Sequence, residues 1–365
     1  MNLICEKSSN IKWNPKNPIN RQIILLMSGG VDSSVCGLLL KEAGYDILGI
    51  TMKLPFANSD LSCNGNDGGK VAYDLHIPHY YIDVKEIFKE NVITPFQNAY
   101  LTGMTPSPCV DCNAKIKFGI IWDYLTENFN INHLATGHYA NVYYKDNSYH
   151  LARGRDLTRD QSYFLYGIKA EKLPYLHFPL EPYTKPQVRE IAIKHGLKIA
   201  QKPDSMELCF AGEGDYRNAL SELSKPGIVI DKDNNILGNH KGIENYTIGQ
   251  RKGLGISAPY PLYVTNINPI TNTVTLGKRE EGLIKTVEIN QINIIEKEKS
   301  TIGTLCYGKI RSNGNPKKCI IKDIQTDFAA IEFEESLFKP APGQKTVLYD
   351  EDNNIILGGT IITVK

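Results

Sequence analysis

The sequence lacks any apolar run long enough to cross a membrane. Its hydrophobic segments are short, and none approaches the roughly 18 consecutive residues of a transmembrane helix. Net charge is also nearly absent, because 41 Lys and Arg residues stand against 40 Asp and Glu residues. A charge of +1 neither requires nor excludes a polyanionic partner, so nucleic acid could be bound only by a local basic patch. The chain also contains no internal repeat and no low-complexity tract.

The first 20 residues have neither the apolar core of a secretory signal nor the Arg-rich pattern of an organelle-targeting peptide. We therefore expect a soluble, cytoplasmic protein in which residues 1–20 form a flexible extension. Eight cysteines at irregular spacing favour reduced thiols over a disulfide framework. A length of 365 residues predicts two or three domains.

The most informative segment joins a buried-strand pattern to a glycine turn and a helix. Residues 23–34 read Ile-Ile-Leu-Leu-Met-Ser-Gly-Gly-Val-Asp-Ser-Ser, and the helix is expected over 35–43. Gly29 and Gly30 let backbone N–H groups converge on an anion, the serines add hydroxyl donors, and the helix adds its positive end. Because no lysine follows the second glycine, the turn is not a Gly-x-x-x-x-Gly-Lys-Ser/Thr loop. The segment resembles the PP-loop of ATP pyrophosphatases, which split ATP into AMP and pyrophosphate.

Residues 21–211 are predicted to form an α/β domain around this turn. Short apolar runs alternate with helical stretches, which is typical of a parallel sheet with helices on both faces. Further strands are predicted at 46–53, 79–83 and 134–137. Because ligands bind beyond the carboxyl ends of such strands, the turn, Met52 and Gly137 should face one crevice that holds ATP. A methionine at a strand end is also an ordinary core residue.

Two cysteines follow turns that contain proline. The sequence Thr-Pro-Ser-Pro-Cys-Val-Asp-Cys over 105–112 should delay a helix until about Cys112, with an amphipathic segment over 113–125. A helix dipole and two nearby lysines would then lower the pKa of the Cys112 thiol. Cys209 follows a Lys-Pro-Asp-Ser loop. The residues alone leave open a zinc site using Cys109 and Cys112, a thioredoxin-like redox pair, inert buried cysteines or reactive thiols.

The sequence changes character beyond residue 211. Residues 212–282 contain a predicted hairpin across a Pro-Ile-Thr-Asn turn and indicate a small, mostly β connector domain. Residues 283–365 carry alternating strand patterns that predict a closed or nearly closed β-barrel. In the barrel, Cys306 and Cys319 are predicted to be packing residues. A basic loop over 250–252 is suited to RNA phosphates, or is a solvated turn.

From about residue 21 to 365 the chain closely resembles the bacterial tRNA-specific 2-thiouridylase family, which replaces the C2 oxygen of the wobble uridine 34 by sulfur. A PP-loop alone is shared by many adenylating ligases, but this resemblance rests on several segments in matching order and spacing. They are residues 27–34, 105–118, 135–139, 159–165, 202–210, 246–256 and 341–344.

The resemblance implies roles for individual residues. ATP, with Mg²⁺ between its phosphates, would be held by Leu26, Met27, Ser28, Gly29, Gly30, Val31, Asp32, Ser33, Met52 and Gly137. The tRNA and its target base would be contacted by Ser107, Pro108, Cys109, His138, Arg159, Asp160, Gln161, Arg311, Ser312 and Gln344. Asp32 would be required for adenylation, Cys112 would be the nucleophile, and Cys209 would carry sulfur as a persulfide. The two cysteines would be able to form a disulfide once the sulfur has left.

The implied chemistry suits these residue types. The oxygen on uridine C2 is a poor leaving group. Once AMP has been transferred to this oxygen, the oxygen leaves as part of AMP, which is a good leaving group. A persulfide ionises more readily than a thiol, and a second thiol can attack it. The implied partners are tRNAs for Lys, Glu and Gln and a persulfide donor, either a cysteine desulfurase or a relay protein. Two alternatives are a PP-loop ligase that uses ammonia or an amine, and a non-catalytic RNA-binding protein with a zinc site.

Overall fold

The computed structural model describes residues 3–8, 11–55, 65–203, 208–210 and 225–364. Cys63 and the domain boundary expected near residue 211 lie outside these ranges. The chain forms two compact units, one of Met1–Val92 with Cys109–Asp215 and one of Ile93–Pro108 with Tyr216–Lys365. The segment 93–108 therefore packs with the C-terminal unit, whereas the sequence assigned it to the first domain. The reason is pairing far along the chain: the Thr105 N–H donates to the Pro342 carbonyl at 2.8 Å.

Both units contain α-helices. They are α1 Val31–Glu42, α2 Gly65–Asp74, α3 Lys85–Phe88, α4 Thr94–Leu101, α5 Pro108–Asp111, α6 Trp122–Phe129 and α7 Lys185–Lys194. Two stretches have π-helical hydrogen bonding, Lys89–Ile93 and Cys112–Ile121. Short 3₁₀ turns occupy Ile19–Arg21, Ser162–Phe164, Ala170–Tyr175, Lys198–Gln201, Ile243–Asn245, Arg279–Gly282 and Lys297–Lys299.

The strands fall into a sheet and a hairpin in the first unit and a sheet and a barrel in the second. Those of the first unit are β1 Ile4–Lys7, β2 Gln22–Leu26, β3 Asp46–Lys53, β4 His79–Asp83, β5 His133–Ala135, β6 Ala140–Lys145, β7 Ser148–Arg153 and β8 Leu176–His177. Those of the second are β9 Gly227–Ile230, β10 Ile236–His240, β11 Tyr263–Asn268, β12 Thr273–Gly277, β13 Leu283–Ile294, β14 Leu305–Lys309, β15 Lys317–Gln325, β16 Phe328–Phe338, β17 Lys345–Tyr349 and β18 Ile355–Val364.

The main sheet of the first unit has the strand order β1-β4-β3-β2-β5-β8, and its pairs are parallel apart from β1 with β4. The predicted α/β domain with a parallel sheet is confirmed. The middle of β2 is fully buried at Ile23, Ile24 and Leu25, because helices cover both faces of a sheet of this kind. Strand β5 ends at Ala135, earlier than predicted, which leaves Thr136 and Gly137 in the loop beyond the strand.

The N-terminal residues differ from the expected flexible extension. Strand β1 pairs antiparallel with β4, from Ile4 opposite Asp83 to Lys7 opposite Tyr80. The Ser8 hydroxyl then bonds the imidazole Nδ1 of the buried His79. Because an outer strand offers unused backbone donors and acceptors, four residues at the N-terminus suffice to extend the sheet.

In the second unit, β9–β12 form a sheet in the order β10-β9-β12-β11, and β13–β18 form a closed barrel in the order β13-β16-β15-β14-β17-β18. The predicted small β domain and C-terminal barrel are confirmed. Cys306 and Cys319 lie opposite each other on β14 and β15, both buried in the barrel core, with 3.5 Å between their sulfur atoms. Their predicted role in packing agrees with this position. Within the described ranges, every helix is too short or too polar to cross a membrane.

Candidate active site

The glycine turn after β2 forms the start of a helix. Helix α1 begins at Val31 with Gly30 as its N-cap, four residues earlier than predicted, so that Asp32 and Ser33 lie in its first turn. Gly29 has a φ of +76°, a conformation that favours glycine. The Ser34 hydroxyl donates to the Gly30 carbonyl at 2.8 Å. Since the first N–H groups of a helix have no partner within it, this turn directs donors and a positive dipole end at one point.

Gly137 closes one side of the turn. A Cβ atom added at Gly137 would lie 2.9 Å from the Ser33 nitrogen and 3.0 Å from the carbonyl carbon of Asp32. Backbone therefore packs directly on backbone, with no room for a side chain at this position. Thr51, at the end of β3, donates its hydroxyl to the Met27 carbonyl at 2.6 Å and joins the ends of β2 and β3. Met52 follows, half-buried, and its predicted place in the crevice that holds ATP remains a prediction. This cradle of backbone N–H groups fits a polyphosphate.

Asp32 is held by two side chains from distant parts of the chain. The Lys185 ammonium lies 2.8 Å from each carboxylate oxygen of Asp32, and the Tyr139 hydroxyl donates to Oδ1 at 2.9 Å. The Lys185 side chain is 8% exposed and that of Asp32 is 32% exposed. An ammonium this deeply buried requires a counter-charge, so the three groups form one electrostatic unit at the nucleotide turn.

This clamp of Asp32, Lys185 and Tyr139 was not predicted from the sequence. Lys185 is the first residue of α7, and a capping box of Thr184 and Gln187 fixes the start of that helix. The Lys185 N–H also donates to the Asp156 carboxylate at 3.0 Å. The local sequence indicates the start of a helix, but it does not indicate that Lys185 pairs with Asp32, which lies 153 positions away. Tyr139 was part of a recognised segment but had no assigned role.

The segment 159–161 supports the clamp by bonding the backbone of Tyr139. The Asp160 side chain, 1% exposed, accepts a hydrogen bond from Arg153 Nε at 2.8 Å. Gln161 bonds the backbone of Tyr139 in both directions, at 2.9 Å through its side chain and 2.8 Å through its N–H. Gln161 therefore holds the loop that presents Tyr139 to Asp32, and Asp160, the residue before it, is fixed by Arg153. Their predicted contacts with tRNA, and that of the half-buried Arg159, remain predictions.

The helix that carries Cys112 starts earlier than expected. Pro108 opens α5, because proline lacks only an N–H that the first helical turn does not use. Cys109 is exposed on this turn, whereas Cys112 is buried one turn further on, where π-helical hydrogen bonding begins. The expectation that prolines exclude a helix until about Cys112 was wrong. The helical path continues through a kink at Gly119, where Lys172 bonds the Phe118 carbonyl at 2.7 Å.

His138 connects the nucleotide turn to the Cys112 helix. Its ring lies 6.0 Å from that of Phe118 on the helix and 6.3 Å from that of Phe178. Its Nδ1 is 2.8 Å from the Thr136 hydroxyl. Burial, with the nearby Lys117 charge, lowers the pKa of His138 well below its usual value. The imidazole is therefore neutral at pH 7 and is suited to hydrogen bonding with a base rather than to pairing with phosphate.

Cys209 is joined to the same region through the residue that follows it. Phe210 is buried and packs edge to face on the fully buried Phe88, with 5.9 Å between ring centroids. Phe88 ends α3, and this helix contacts the Cys112–Ile121 helix. Cys209 itself is half-buried. Both cysteines thus belong to segments that meet at one helix, and their predicted roles and disulfide remain predictions.

The remaining predicted RNA contacts lie in the second unit. Gln344 donates to the Thr105 carbonyl at 3.2 Å, which places it beside the segment that leads to Ser107 and Pro108. The exposed Arg311 donates to the Lys339 carbonyl at 3.2 Å, and a Cβ at Gly249 would lie 2.9 Å from its Nη2. Arg311 therefore lies beside Gly249, which directly precedes the basic loop over 250–252, and the contact with tRNA predicted for Ser312 remains a prediction.

A cluster of three or more His, Cys, Asp or Glu side chains suitable for a metal ion does not occur among the described residues. Cys109 and Cys112 thus do not combine there with further ligands of these types into the four-ligand set that structural zinc requires.

Three family models match consecutive parts of the chain. Residues 21–213 match the tRNA methyl transferase HUP domain, residues 220–278 the tRNA methyl transferase PRC-barrel domain, and residues 284–362 the aminomethyltransferase beta-barrel domain.

Curated relatives match over nearly the whole length. The tRNA-specific 2-thiouridylase MnmA of Clostridioides difficile is 39% identical over 94% of this chain and 98% of its own. The protein of the same name from Halothermothrix orenii is 39% identical over 93% and 98% of the two chains. The tRNA-specific 2-thiouridylase MnmA 1 of Caldanaerobacter subterraneus is 40% identical over 95% and 99%. Identity of this level across all domains, in relatives of common name, defines a family.

Proposed function

Because the chain belongs to the tRNA-specific 2-thiouridylase family, we propose that it replaces the C2 oxygen of the wobble uridine of tRNA by sulfur in an ATP-dependent reaction. The observation that carries the proposal is the loop Ala135–Tyr139. In this loop Gly137 packs on the nucleotide turn, His138 on the Cys112 helix, and Tyr139 bonds Asp32. One short loop thus connects a polyphosphate cradle with a cysteine-bearing helix.

ATP binds at the turn from Leu26 to Ser33, with its phosphates at the start of α1. Mg²⁺ would bind chiefly through phosphate oxygens, since this ion usually uses substrate phosphates and one or two carboxylates rather than a cage of protein ligands. Asp32 is the carboxylate at the turn that fits this role. Lys185 and Tyr139 fix its orientation, and Lys185 neutralises it where a bare carboxylate would repel the phosphates.

The target uridine has to leave the anticodon stack before its C2 atom is accessible, at a cost of about a few kcal/mol. His138 is proposed to contact the displaced base, and Pro108 and Gln344 are each proposed to contact the tRNA. Transfer of AMP to the C2 oxygen releases pyrophosphate and makes that oxygen a leaving group. Arg311 with the 250–252 loop, and Arg159, would contribute phosphate contacts that position the tRNA.

Sulfur arrives as a persulfide on Cys209, delivered by a cysteine desulfurase or a relay protein. In one route the Cys112 thiolate attacks the inner sulfur of that persulfide, a Cys112–Cys209 disulfide forms, and the released sulfide displaces AMP from C2. A thiol reductant then reopens the disulfide. In the other route the terminal persulfide sulfur attacks C2 and displaces AMP, which leaves the base joined to Cys209 through a sulfur–sulfur bond. The Cys112 thiolate then attacks the Cys209 sulfur, which releases 2-thiouridine and forms the same Cys112–Cys209 disulfide. Both routes need the two cysteines. The proposed substrates are the tRNAs for Lys, Glu and Gln, and the proposed location is the cytoplasm.

The test is thiolation of unmodified tRNA with ATP, cysteine and a cysteine desulfurase, analysed by mass spectrometry of the wobble nucleoside. We expect a mass gain equal to the exchange of oxygen for sulfur, with loss of the product in Cys112→Ser and Cys209→Ser and unchanged tRNA binding. Cys306→Ser is the matched control and should keep activity. A gain equal to a methyl group, or thiolation that persists in either cysteine variant, contradicts the proposal, and so does incorporation of ammonia.

A further inference from the structure

The start of α2 lies directly on the nucleotide turn. A Cβ atom at Gly29 would lie 2.4 Å from the Cβ of Asp67 and 2.7 Å from the Gly68 nitrogen. Gly68 in turn approaches the strand ends, since a Cβ there would lie 2.2 Å from the Thr51 hydroxyl oxygen and 3.0 Å from the Met27 carbonyl oxygen. The Asp67 carboxylate is therefore a negative charge held beside a turn whose own donors favour an anion.

This carboxylate is compensated from the segment that leads to Cys209. Lys202 Nζ lies 2.6 Å from Asp67 Oδ2, and each side chain is 30% exposed. The hydrogen bond from Lys202 is the main cause that holds the pKa of Asp67 below its usual value. Lys70 is a weaker partner, 3.7 Å from Oδ1 and 76% exposed. An ion pair with this much access to water can exchange its partners.

The backbone of Lys202 is anchored independently. Arg189, on α7, donates to the Ala200 carbonyl at 2.8 Å and to the Lys202 carbonyl at 3.2 Å. The same helix begins with Lys185, which holds Asp32. Cys209 follows Lys202 by seven positions. The ammonium of Lys202 is thus held near the nucleotide turn, seven positions before the predicted sulfur-bearing cysteine.

Polyphosphate at the turn changes the balance of this pair. Several negative charges would enter beside one carboxylate and one ammonium, which repels Asp67 and attracts Lys202. We propose that Lys202 is a phosphate-binding residue that Asp67 holds in place when no nucleotide is bound, and that its transfer from carboxylate to phosphate ties the Cys209 segment to the occupied nucleotide site. The inference rests on the proposed function for the identity of the nucleotide and the role of Cys209.

Opposite effects of the two partners test the exchange. With a methylene analogue of ATP that resists cleavage between the α and β phosphates, Lys202→Gln should weaken binding at least about tenfold, since an attractive charge is lost and only the weaker partner Lys70 still compensates Asp67. Asp67→Asn should instead tighten binding severalfold, because the competitor for Lys202 is removed. Lys202→Arg, which keeps the charge, should stay near the wild-type affinity. If both Lys202→Gln and Asp67→Asn weaken binding, the pair is merely structural and the proposal is wrong.

Alkylation of Cys209 gives a second readout that does not depend on thiolation. The rate is followed by mass spectrometry of the Cys209 peptide in the intact protein, with and without the analogue. In the wild type, saturating analogue should slow alkylation severalfold, and Lys202→Gln should abolish this difference. The matched control is Lys198→Gln, an exposed lysine four positions earlier, which should change neither readout. A nucleotide effect on Cys209 that survives in Lys202→Gln contradicts the coupling, whether or not the protein thiolates tRNA.

Discussion

The ion pair of Asp32 and Lys185 allows a quantitative prediction, because the two charged side chains differ in burial. Asp32→Asn removes the negative charge that Asp32 places 2.8 Å from the Lys185 ammonium, which is only 8% exposed, and should cost about 3 kcal/mol of unfolding free energy. Lys185→Met leaves a carboxylate that is 32% exposed, so that water and the Tyr139 hydroxyl still solvate it, and should cost about 1–2 kcal/mol. The double variant removes both charges together and should cost less than the sum.

The expected coupling energy is therefore about 2 kcal/mol or more. Urea denaturation followed by tryptophan fluorescence suits the measurement, since Trp13 and Trp122 both belong to the first unit and report on its unfolding. Lys85→Met is the control, because its pair with Asp83 is 3.6 Å long and exposed and should contribute less than about 1 kcal/mol. Strictly additive costs of Asp32→Asn and Lys185→Met would refute the reasoning that the two charges form one unit.

Three further predictions concern single positions. Gly137→Ala places a Cβ against the backbone of Ser33 and should weaken binding of the ATP analogue at least about tenfold, as measured by titration calorimetry, and an unchanged affinity would show that this contact is not part of the nucleotide site. Burial lowers the pKa of His79 from 6.5 to about 4, so the unfolded chain binds a proton at this residue more readily than the folded protein does. The free energy of unfolding should therefore fall by up to about 3 kcal/mol as the pH drops from 6.5 to 4. Urea denaturation of His79→Asn should show a weaker dependence on pH, and an unchanged dependence would contradict this. Arg311→Ala should weaken tRNA binding and reduce the slope of log K for tRNA binding against log salt concentration by about 1, which corresponds to one phosphate contact. An unaltered slope would place Arg311 outside the RNA interface.

The sequence predicted the parts of the fold that depend on local pattern. Strands β3 and β4 have the bounds that apolar runs indicated, and the barrel strands follow the alternation of apolar residues. The predicted starts of two helices were wrong. Pro108 was taken as a barrier although proline is compatible with a first helical turn, and α1 begins at Val31 because the glycine turn itself caps it.

In the candidate site, too, residues with a local sequence signal were predicted and residues without one were not. Motif residues such as Gly29 and Gly137 were found because a close backbone approach requires glycine. Lys185 and Lys202 were missed as partners of Asp32 and Asp67, because an ion pair between residues more than a hundred positions apart leaves no periodic or local signal. Such partners follow only from the three-dimensional arrangement. The N-terminal strand β1 escaped prediction for the same reason, since its pairing depends on the outer face of β4.

The central claim is that ATP activates the wobble uridine for attack by sulfur carried on Cys209. The most direct measurement is a single turnover in which protein loaded with persulfide on Cys209, freed of donor, is mixed with unmodified tRNA with or without ATP. The account predicts transfer of that sulfur to the wobble nucleoside only with ATP, with AMP formed in equal amount. Transfer without ATP, or AMP formation with no sulfur in the tRNA, would contradict it.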